Sequence, residues 1–199
     1  SNAAFQLAMS RKGRVKDGRK MVTLADKGNV FRSMAFMRKV FAEVAKKYED
    51  EVQSQNLMID ALALLLVQNP EDFDVILFEN MHGDIMSDMA AAFVGGMGMA
   101  PSGDIGLEHG MFQPAHGTAP SIAGKNLVNP TAAILSARMM LDWLGDRWRD
   151  EALKKGAQVI EQAVTDTFAD RVSTRDVGGM ASTGDFTDKV IGHIYKSKI

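Results

Sequence analysis

Cysteine is absent from the 199-residue sequence. Its absence excludes disulfides, thiolate metal sites and cysteine nucleophiles, and it is typical of proteins from a reducing compartment. Long apolar runs are absent too, because segments such as ALALLLV at residues 61–67 are far shorter than the roughly 20 residues that cross a bilayer. We therefore expect a cytoplasmic protein without a membrane partner.

The sequence also carries little excess charge of either sign. Its 23 basic and 25 acidic residues give a formal net charge of −2. Nucleic acids and anionic membranes bind through concentrated positive charge, and the one basic cluster, at residues 11–20, is interrupted by glycine and aspartate. We predict a solvated loop there and no nucleic-acid partner.

Apolar patterns of strand type and helix type alternate along the chain. The runs KMVTLAD, EVQSQNL and FDVILFEN predict three strands, and helical spacing predicts the helices between and after them. This alternation is typical of an α/β fold with a mostly parallel sheet flanked by helices. The helices are expected at residues 4–13, 30–50, 59–70, 83 onwards, 131–145, 150–170 and 185–198.

Two aspartates lie four residues apart in the segment HGDIMSD. If a helix begins near His82, Asp84 and Asp88 lie on one face of it, where their charges repel each other. Two interpretations remain open. Either Asp84 caps the helix and Asp88 is solvated, or the pair binds a hard divalent cation such as Mg²⁺ or Mn²⁺ through oxygen ligands.

Lys27 and Asp60 each allow a structural and a chemical interpretation. Asp60 stands at the start of an apolar helix, where it is either an N-cap or a metal ligand. Lys27 follows a predicted strand, and a lysine in such a place is usually a surface charge. The sequence around Lys27 and Asp60 does not decide between the structural and the chemical interpretation of either residue.

The segment MFQPAHGTAPSIAGKNLVNP, residues 111–130, contains too much proline, glycine and polar sequence for a regular element. Long irregular segments between strong elements are usually functional. No G-x-G-x-x-G motif follows a strand, so the Rossmann fingerprint is absent. Glycines near His116 nevertheless allow backbone amides to approach a bound group closely, although a lone histidine is more often structural.

Several long motifs, in order, carry a family resemblance. They are DKGN, MIDALALLLVQNPEDFDVILFENMHGDIMSD, GGMGMAPSGDIG, FQPAHGTAPSIAGKNLVNPTAAILSARMMLDWLG and GGMASTGDFTDKVIGHI. Together they resemble the C-terminal part of the β-decarboxylating dehydrogenases, the family of isocitrate, isopropylmalate and tartrate dehydrogenases. The resemblance implies the fold of that family, incomplete at the N-terminus.

The resemblance implies roles for the charged residues. Asp84 and Asp88 would be ligands of Mg²⁺ or Mn²⁺, and Asp60 would join them from the other subunit of a homodimer with a shared active site. Lys27 would act with Asp60 as the catalytic pair that removes the hydroxyl proton of the substrate. The metal would stabilise the enolate that forms when the β-carboxylate departs as CO₂.

The resemblance also implies a dinucleotide site that differs from the Rossmann one. The segments 96–103 and 116–129 would wrap the cofactor, with His116 and Asn129 near the adenine. The cofactor-binding residues implied in this way are Gly96, Gly98, His116, Gly117, Thr118, Ala119, Ser121, Ile122 and Asn129.

Two positions depart from the family pattern. NAD-dependent members carry an aspartate after HG-x-A-P, and NADP-dependent members carry lysine followed by tyrosine, whereas this chain has Ser121 and Ile122. We predict NAD because the lysine–tyrosine pair is absent, and leave NADP open. The second departure is Gln113, where the family usually has a glutamate near the nicotinamide ribose; glutamine loses the charge and keeps hydrogen-bonding capacity.

The expected activity is the metal-dependent, NAD(P)-linked oxidative decarboxylation of a malate-type 2-hydroxy acid, with isocitrate or 3-isopropylmalate as the first candidates. The alternative is a truncated or regulatory subunit that dimerises and binds nucleotide or metal without turnover.

Residues 1–3, SNA, are expected to be a tag remnant. Residues 4–80 are assigned to the later part of a small dimerisation and substrate domain, and residues 81–199 to the later part of a large dinucleotide-binding domain.

Overall fold

The computed structural model describes residues 1–197. Residue contacts group the chain into two units, one from Ser1 to Ala90 and one from Ala91 onwards. The boundary lies ten residues after the one expected from the sequence, and the assignment of the units to domains of a family member stays a prediction. Lys198, the end of the last expected helix, lies outside the described residues.

The first unit alternates helices and strands, as the sequence predicts. Its elements are α1 (Asn2–Ser10), β1 (Met21–Asp26), α2 (Arg32–Ala45), β2 (Gln53–Met58), α3 (Ile59–Gln68), β3 (Val75–Leu77) and α4 (Asn80–Phe93), the last of which continues into the second unit.

The three strands form one parallel sheet in the order β2-β1-β3. Met21 of β1 lies opposite Gln53 of β2, and Val22 lies opposite Val75 of β3. The α/β class with a parallel sheet is therefore confirmed. The strand predicted in FDVILFEN is real but only three residues long.

Helices cover both faces of the sheet because side chains alternate along the central strand. On one face, Val22 and Leu24 pack with Phe5 of α1 and Phe41 of α2 in a buried apolar cluster. On the other face, Ala25 packs in a second cluster with residues of α3 and α4, namely Leu62, Leu66 and Met86. Every residue of β1 is buried.

The second unit consists of a hairpin and three long helices. Its elements are β4 (Pro101–Ile105), β5 (Gly110–Pro114), α5 (Thr131–Trp148), α6 (Glu151–Ala169) and α7 (Thr183–Lys196).

The hairpin corrects the expectation that residues 111–130 lack regular structure. Strands β4 and β5 pair antiparallel, with Gly103 opposite Phe112, and the ring of Phe112 lies 5.8 Å from the ring of Trp143 on α5. Packing against an aromatic helix face therefore overrides the weak strand propensity of this glycine- and proline-rich sequence. Residues 115–130 are irregular, as predicted.

Gly145 does not end the fifth helix, as the sequence suggested. It is buried inside α5, and a Cβ there would lie 2.6 Å from Cδ of Lys154 and 3.1 Å from the carbonyl oxygen of Asp150. The glycine therefore permits the start of α6 to approach α5 closely. The helix ends instead at Trp148, and the C-cap residue Arg149 has the left-handed backbone conformation.

No helix within the described part of the chain has the length and apolarity needed to span a membrane.

Candidate functional site

Lys27 and Asp60 meet at the carboxyl edge of the parallel sheet. Lys27 directly follows β1, and Asp60 is the second residue of α3, which follows β2 without a loop. Because β1 and β2 are parallel neighbours, their carboxyl ends lie side by side, which is where α/β proteins place ligands. The ammonium Nζ of Lys27 donates a hydrogen bond to Oδ1 of Asp60 at 2.5 Å.

This pairing replaces the N-cap interpretation of Asp60. The N-cap of α3 is Met58, and no side chain caps the helix. The hydrogen bond from Lys27 is the main cause that lowers the pKa of Asp60 below its ordinary value. The structure therefore couples the two residues that the resemblance assigns to catalysis.

We expect Lys27→Met to raise the pKa of Asp60 towards that of a free carboxyl, because the substitution removes the hydrogen bond and the positive charge. The carboxyl carbon of Asp60, followed by NMR during an acid titration, measures this change. In the unsubstituted protein, the ion pair contributes to stability above the ordinary carboxyl pKa, and the contribution is lost as the pH falls through the lowered pKa. Lys47→Met, at an exposed lysine of the same unit, is the control; identical Asp60 titrations in the two variants would contradict the coupling.

A buried carboxylate fixes the backbone next to Lys27. Asp26 is 1% exposed and accepts hydrogen bonds from the backbone N–H of Gly28 at 2.6 Å, from Nδ2 of Asn56 at 2.7 Å and from the guanidinium of Arg38. Burial acts to raise the pKa of Asp26, but these hydrogen bonds outweigh it and hold the pKa below the ordinary value. The network joins β1, β2 and α2 beneath the Lys27–Asp60 pair.

Sequence reasoning missed this network. One signal for the network was present in the sequence: Asp26 is the last residue of an otherwise mostly apolar strand. A carboxylate buried there needs hydrogen-bond partners. The backbone N–H of Lys27 also points to Sδ of Met34, 3.3 Å away. Lys27 is thus held through its backbone neighbours as well as through its own side chain.

Asp84 and Asp88 lie within α4, and both are exposed. The helix begins at Asn80 rather than near His82, so Asp84 is its fifth residue and the interpretation of Asp84 as a cap is wrong. Nδ2 of Asn80 lies 3.4 Å from Oδ2 of Asp84 and forms a long hydrogen bond with it.

The two carboxylates fit a hard cation as a partial ligand set. They provide oxygen donors one helical turn apart, which suits Mg²⁺ or Mn²⁺. Within residues 1–197, however, no three His, Cys, Asp or Glu side chains are grouped closely enough to hold a metal ion. Asp60, Asp84 and Asp88 therefore do not form one cluster within the described part of the chain. Their role as ligands stays a prediction.

The second unit contains a cavity of about 530 Å³, a size typical of small-ligand sites. Six of the nine predicted cofactor residues line it: Gly98, His116, Gly117, Ala119, Ile122 and Asn129. The other three, Gly96, Thr118 and Ser121, lie in the same two segments but are not among the lining residues. The structure adds Leu127 and Val128, which lie in the predicted segment 116–129 but were not named individually, and Arg175 and Asp176, which sequence reasoning missed.

Asn129 forms the rigid wall of this cavity. It is 4% exposed; its Nδ2 donates to Oδ2 of Asp176 at 3.0 Å and points to Sδ of Met99 at 3.4 Å, while its Oδ1 accepts from the backbone N–H of Thr131 at 3.0 Å. A Cβ at Gly98 would lie 2.9 Å from Asp176 Oδ2 and 3.1 Å from Asn129 Cβ. A side chain at position 98 would therefore displace this pair, and glycine lets the backbone pass close to it.

The remaining candidates are more peripheral. His116 is half-buried, and its Nδ1 lies 2.8 Å from the carbonyl oxygen of Gly117, so the ring is oriented by the adjacent backbone. Gln113 lies on β5 opposite Ser102 of β4, and its side chain is exposed. An exposed amide at this position is available to hydrogen-bond a ligand without the charge of a glutamate.

Comparison with known proteins shows which family this chain is similar to. The family model described as isocitrate/isopropylmalate dehydrogenase matches residues 1–190. The chain is 42% identical over 188 residues to the 3-isopropylmalate/3-methylmalate dehydrogenase of Methanocaldococcus jannaschii, an alignment that covers 94% of this chain and 54% of that protein. It is 45% identical over 181 residues to the isocitrate/homoisocitrate dehydrogenase of Thermus thermophilus, covering 89% of this chain and 52% of that protein.

A solved structure gives the same result. The apo β-decarboxylating dehydrogenase of Thermococcus kodakarensis superposes with a TM-score of 0.83 at 37% identity, covering 98% of this chain and 53% of the other. The chain thus spans about half the length of the relatives it matches. On the extent of the family match and these identities, the chain belongs to the isocitrate/isopropylmalate dehydrogenase family, whose fold it shares.

Proposed function

We propose that the chain serves in the metal-dependent, NAD(P)-linked oxidative decarboxylation of a malate-type 2-hydroxy acid, with isocitrate or 3-isopropylmalate as the first candidates. The observation that carries this proposal is the Lys27–Asp60 pair at the carboxyl edge of the sheet. Relatives named as isopropylmalate and isocitrate dehydrogenases support the reaction class. A cytoplasmic location is part of the same proposal.

The pair is suited to moving a proton. Lys27 Nζ donates a hydrogen bond of 2.5 Å to Asp60 Oδ1, so the carboxylate can accept that proton as the lysine nitrogen takes one from the substrate hydroxyl. The hydrogen bond from Lys27 lowers the pKa of Asp60, so the carboxylate stays ionised and holds the lysine ammonium in place before substrate binds. When bound, the dinucleotide would take the hydride from the hydroxyl-bearing carbon and the metal would stabilise the negative charge left by the departing CO₂.

The chain's other residues hold the ligands. Asp84 and Asp88 would each contribute oxygen to the cation, and the cavity beside Asn129 would take the adenosine half of the cofactor. Asp26 fixes the strand end from which Lys27 projects, so its contribution is to position the catalytic pair.

We further propose a homodimer in which the sites are shared. Large apolar side chains of α2, α3 and α4 are exposed, among them Phe36 at 68%, Leu64 at 58% and Ile85 at 62%. Exposed apolar surface of this kind usually marks an interface. The incomplete ligand set around Asp84 and Asp88 also favours completion by a second chain.

Titration calorimetry with Mn²⁺ tests the metal part of this proposal. We expect Mn²⁺ to bind the chain and the double variant Asp84→Asn/Asp88→Asn to lose at least tenfold in affinity, because both charged ligands are removed. The matched control, Glu43→Gln/Asp50→Asn, removes two exposed acidic charges of the same unit and should bind Mn²⁺ as the unsubstituted chain does. Equal loss in both variants, or no Mn²⁺ binding at all, would count against the metal site.

The alternative is a non-catalytic module that dimerises and binds nucleotide or metal. Steady-state reduction of NAD or NADP with Mn²⁺ and isocitrate, 3-isopropylmalate, tartrate or malate separates the two functions. Turnover that Lys27→Met abolishes would exclude the non-catalytic module.

A further inference from the structure

The first unit contains a cavity of about 360 Å³ that the proposed function does not use. This volume lies within the range of small-ligand sites. Gln55 and Leu57 of β2 form one side of the cavity, and Leu65 near the end of α3 forms another. All of its lining residues belong to the first unit, so one compact unit supplies the whole cavity.

The cavity is separate from the Lys27–Asp60 pair. Neither residue of the pair lines it. Its remaining lining residues stand in the segments before β1 and β3, which lie at the amino end of the parallel sheet, whereas the pair lies at the carboxyl edge. These residues are Arg14, Lys16, Asp17, Asp72 and Phe73.

The four charged side chains of the cavity form two ion pairs. Nη2 of Arg14 lies 2.5 Å from Oδ2 of Asp17, and Nζ of Lys16 lies 2.8 Å from Oδ1 of Asp72. The charges of the cavity wall therefore cancel. A ligand with a negative charge alone would face two carboxylates as well as two cations, and a ligand with a positive charge alone would meet the same conflict. The wall therefore favours a ligand that carries both charges.

These charged groups keep hydrogen-bonding capacity for a ligand. Arg14 uses Nε and Nη2 for Asp17, while its Nη1 points to Sδ of Met21, a weak acceptor, at 3.8 Å. Within residues 1–197, Oδ2 of Asp72 and Oε1 of Gln55 accept no hydrogen bond. The cavity thus offers nitrogen donors to a carboxylate and oxygen acceptors to an ammonium.

An apolar surface lies beside these charges. Leu57, Leu65 and Phe73 line the cavity, and all three side chains are partly exposed. An aliphatic group that covered them would be removed from water together with them, which is favourable. A carboxylate, an ammonium and an aliphatic group on one small molecule are the features of an aliphatic α-amino acid.

We propose that this cavity binds a free α-amino acid with an aliphatic side chain, for which leucine is the probe. The carboxylate would bind Arg14 and Lys16, the ammonium would donate to Asp72, and the side chain would pack on the apolar surface of the cavity. The inference goes beyond the proposed function and does not depend on it, because the cavity shares no residue with the catalytic pair, the aspartate pair or the cavity of the second unit.

The test is an NMR titration of the isotope-labelled chain with L-leucine, 4-methylpentanoate and 3-methylbutylamine. The second compound is leucine without its ammonium, and the third is leucine without its carboxylate. We expect leucine to bind at least about tenfold more tightly than either, because each analogue lacks one charge-assisted contact. The amide signals of Gln55 and Leu57 should shift as leucine is added, since both residues line the cavity.

Two substitutions separate the two charges of the ligand. Lys16→Gln should weaken leucine at least about fivefold and leave 3-methylbutylamine, which has no carboxylate, no weaker. Asp72→Asn should weaken leucine to a similar degree and leave 4-methylpentanoate, which has no ammonium, no weaker. Lys12→Gln is the matched control, because Lys12 is an exposed lysine of the same loop that does not line the cavity, and it should bind leucine as the unsubstituted chain does.

Three results would overturn the inference. The first is the absence of leucine-dependent shifts at Gln55 and Leu57. The second is equal affinity of the unsubstituted chain for leucine and for either analogue, which would show that one of the two charges makes no contact. The third is equal weakening of leucine by Lys16→Gln and by Lys12→Gln, which would show a general effect of charge instead of a contact in the cavity.

Discussion

Phe186→Ala is expected to lower the free energy of unfolding of the second unit by about 3–5 kcal/mol. Phe186 is fully buried on α7, where it packs in one cluster with Ala163, Val164 and Val190. Its ring lies 5.2 Å from the ring of Phe168 on α6. Alanine would leave a cavity that these rigid helices cannot fill, so both the transfer energy and the packing would be lost.

Urea denaturation followed by tryptophan fluorescence measures this effect. Both tryptophans of the sequence, Trp143 and Trp148, lie on α5, so the signal reports on the second unit. Tyr195→Ala is the control because Tyr195 lies on the same helix and is 85% exposed. We expect the control to shift the free energy of unfolding by less than about 0.5 kcal/mol. A loss at Phe186 no larger than that of the control would show that the α6–α7 packing is not as described.

Asp26→Ala is expected to cost about 3 kcal/mol, at the lower end of the range for breaking a buried ion pair. Removing the carboxylate leaves Asn56 and the Gly28 N–H without an acceptor, while Arg38, whose side chain is 35% exposed, can turn partly to water. Urea denaturation followed by circular dichroism gives the total loss. Amide hydrogen exchange along β1 tests whether the loss is local to the strand that ends at Asp26.

The effect of Asp26→Ala should depend on pH in one direction. The pKa of Asp26 is lowered in the folded protein, so its contribution is complete above the carboxyl pKa of the unfolded chain, about 3.9, and disappears as the pH falls through the folded value. The difference between the proteins should therefore be constant near neutrality and shrink below about pH 4. Asp50→Ala, at an exposed aspartate of the same unit, should show no comparable difference. A loss that persists unchanged into acid would contradict the assignment to an ionised Asp26.

The first unit was predictable because its sequence patterns are strong. The run before Lys27 has the length and composition of a short buried strand, and the helix that follows it has apolar residues at helical spacing. The hairpin in the second unit was not predictable, since its strands contain proline and glycine and form only because Phe112 packs against Trp143. The prediction that Gly145 ends the fifth helix was wrong for a related reason. The glycine permits the close contact between α5 and α6, and a tertiary contact of this kind cannot be read from the local sequence.

The residues of the candidate sites also divide into those that the sequence predicted and those that it did not. Lys27, Asp60 and six of the cavity residues were named from motifs, because each stands in a local segment that resembles the family. Arg175 and Asp176 were missed because they lie far along the chain from the loop they face, and only the tertiary structure brings them to Asn129. The Asp26 network was missed because its partners come from three separate elements.

The sulfur contacts of the two candidate sites have a consequence for redox chemistry. Met34 lies against the backbone of Lys27, and Met99 lies against the side chain of Asn129. Because the chain has no cysteine, methionine thioethers are its only sulfur atoms and therefore the groups that peroxides would attack first. Met34 is buried, whereas Met99 is partly accessible. Conversion of Met99 to the sulfoxide would place a strong, bulky acceptor beside Asn129, so oxidative damage would reach the cavity of the second unit before it reached Lys27.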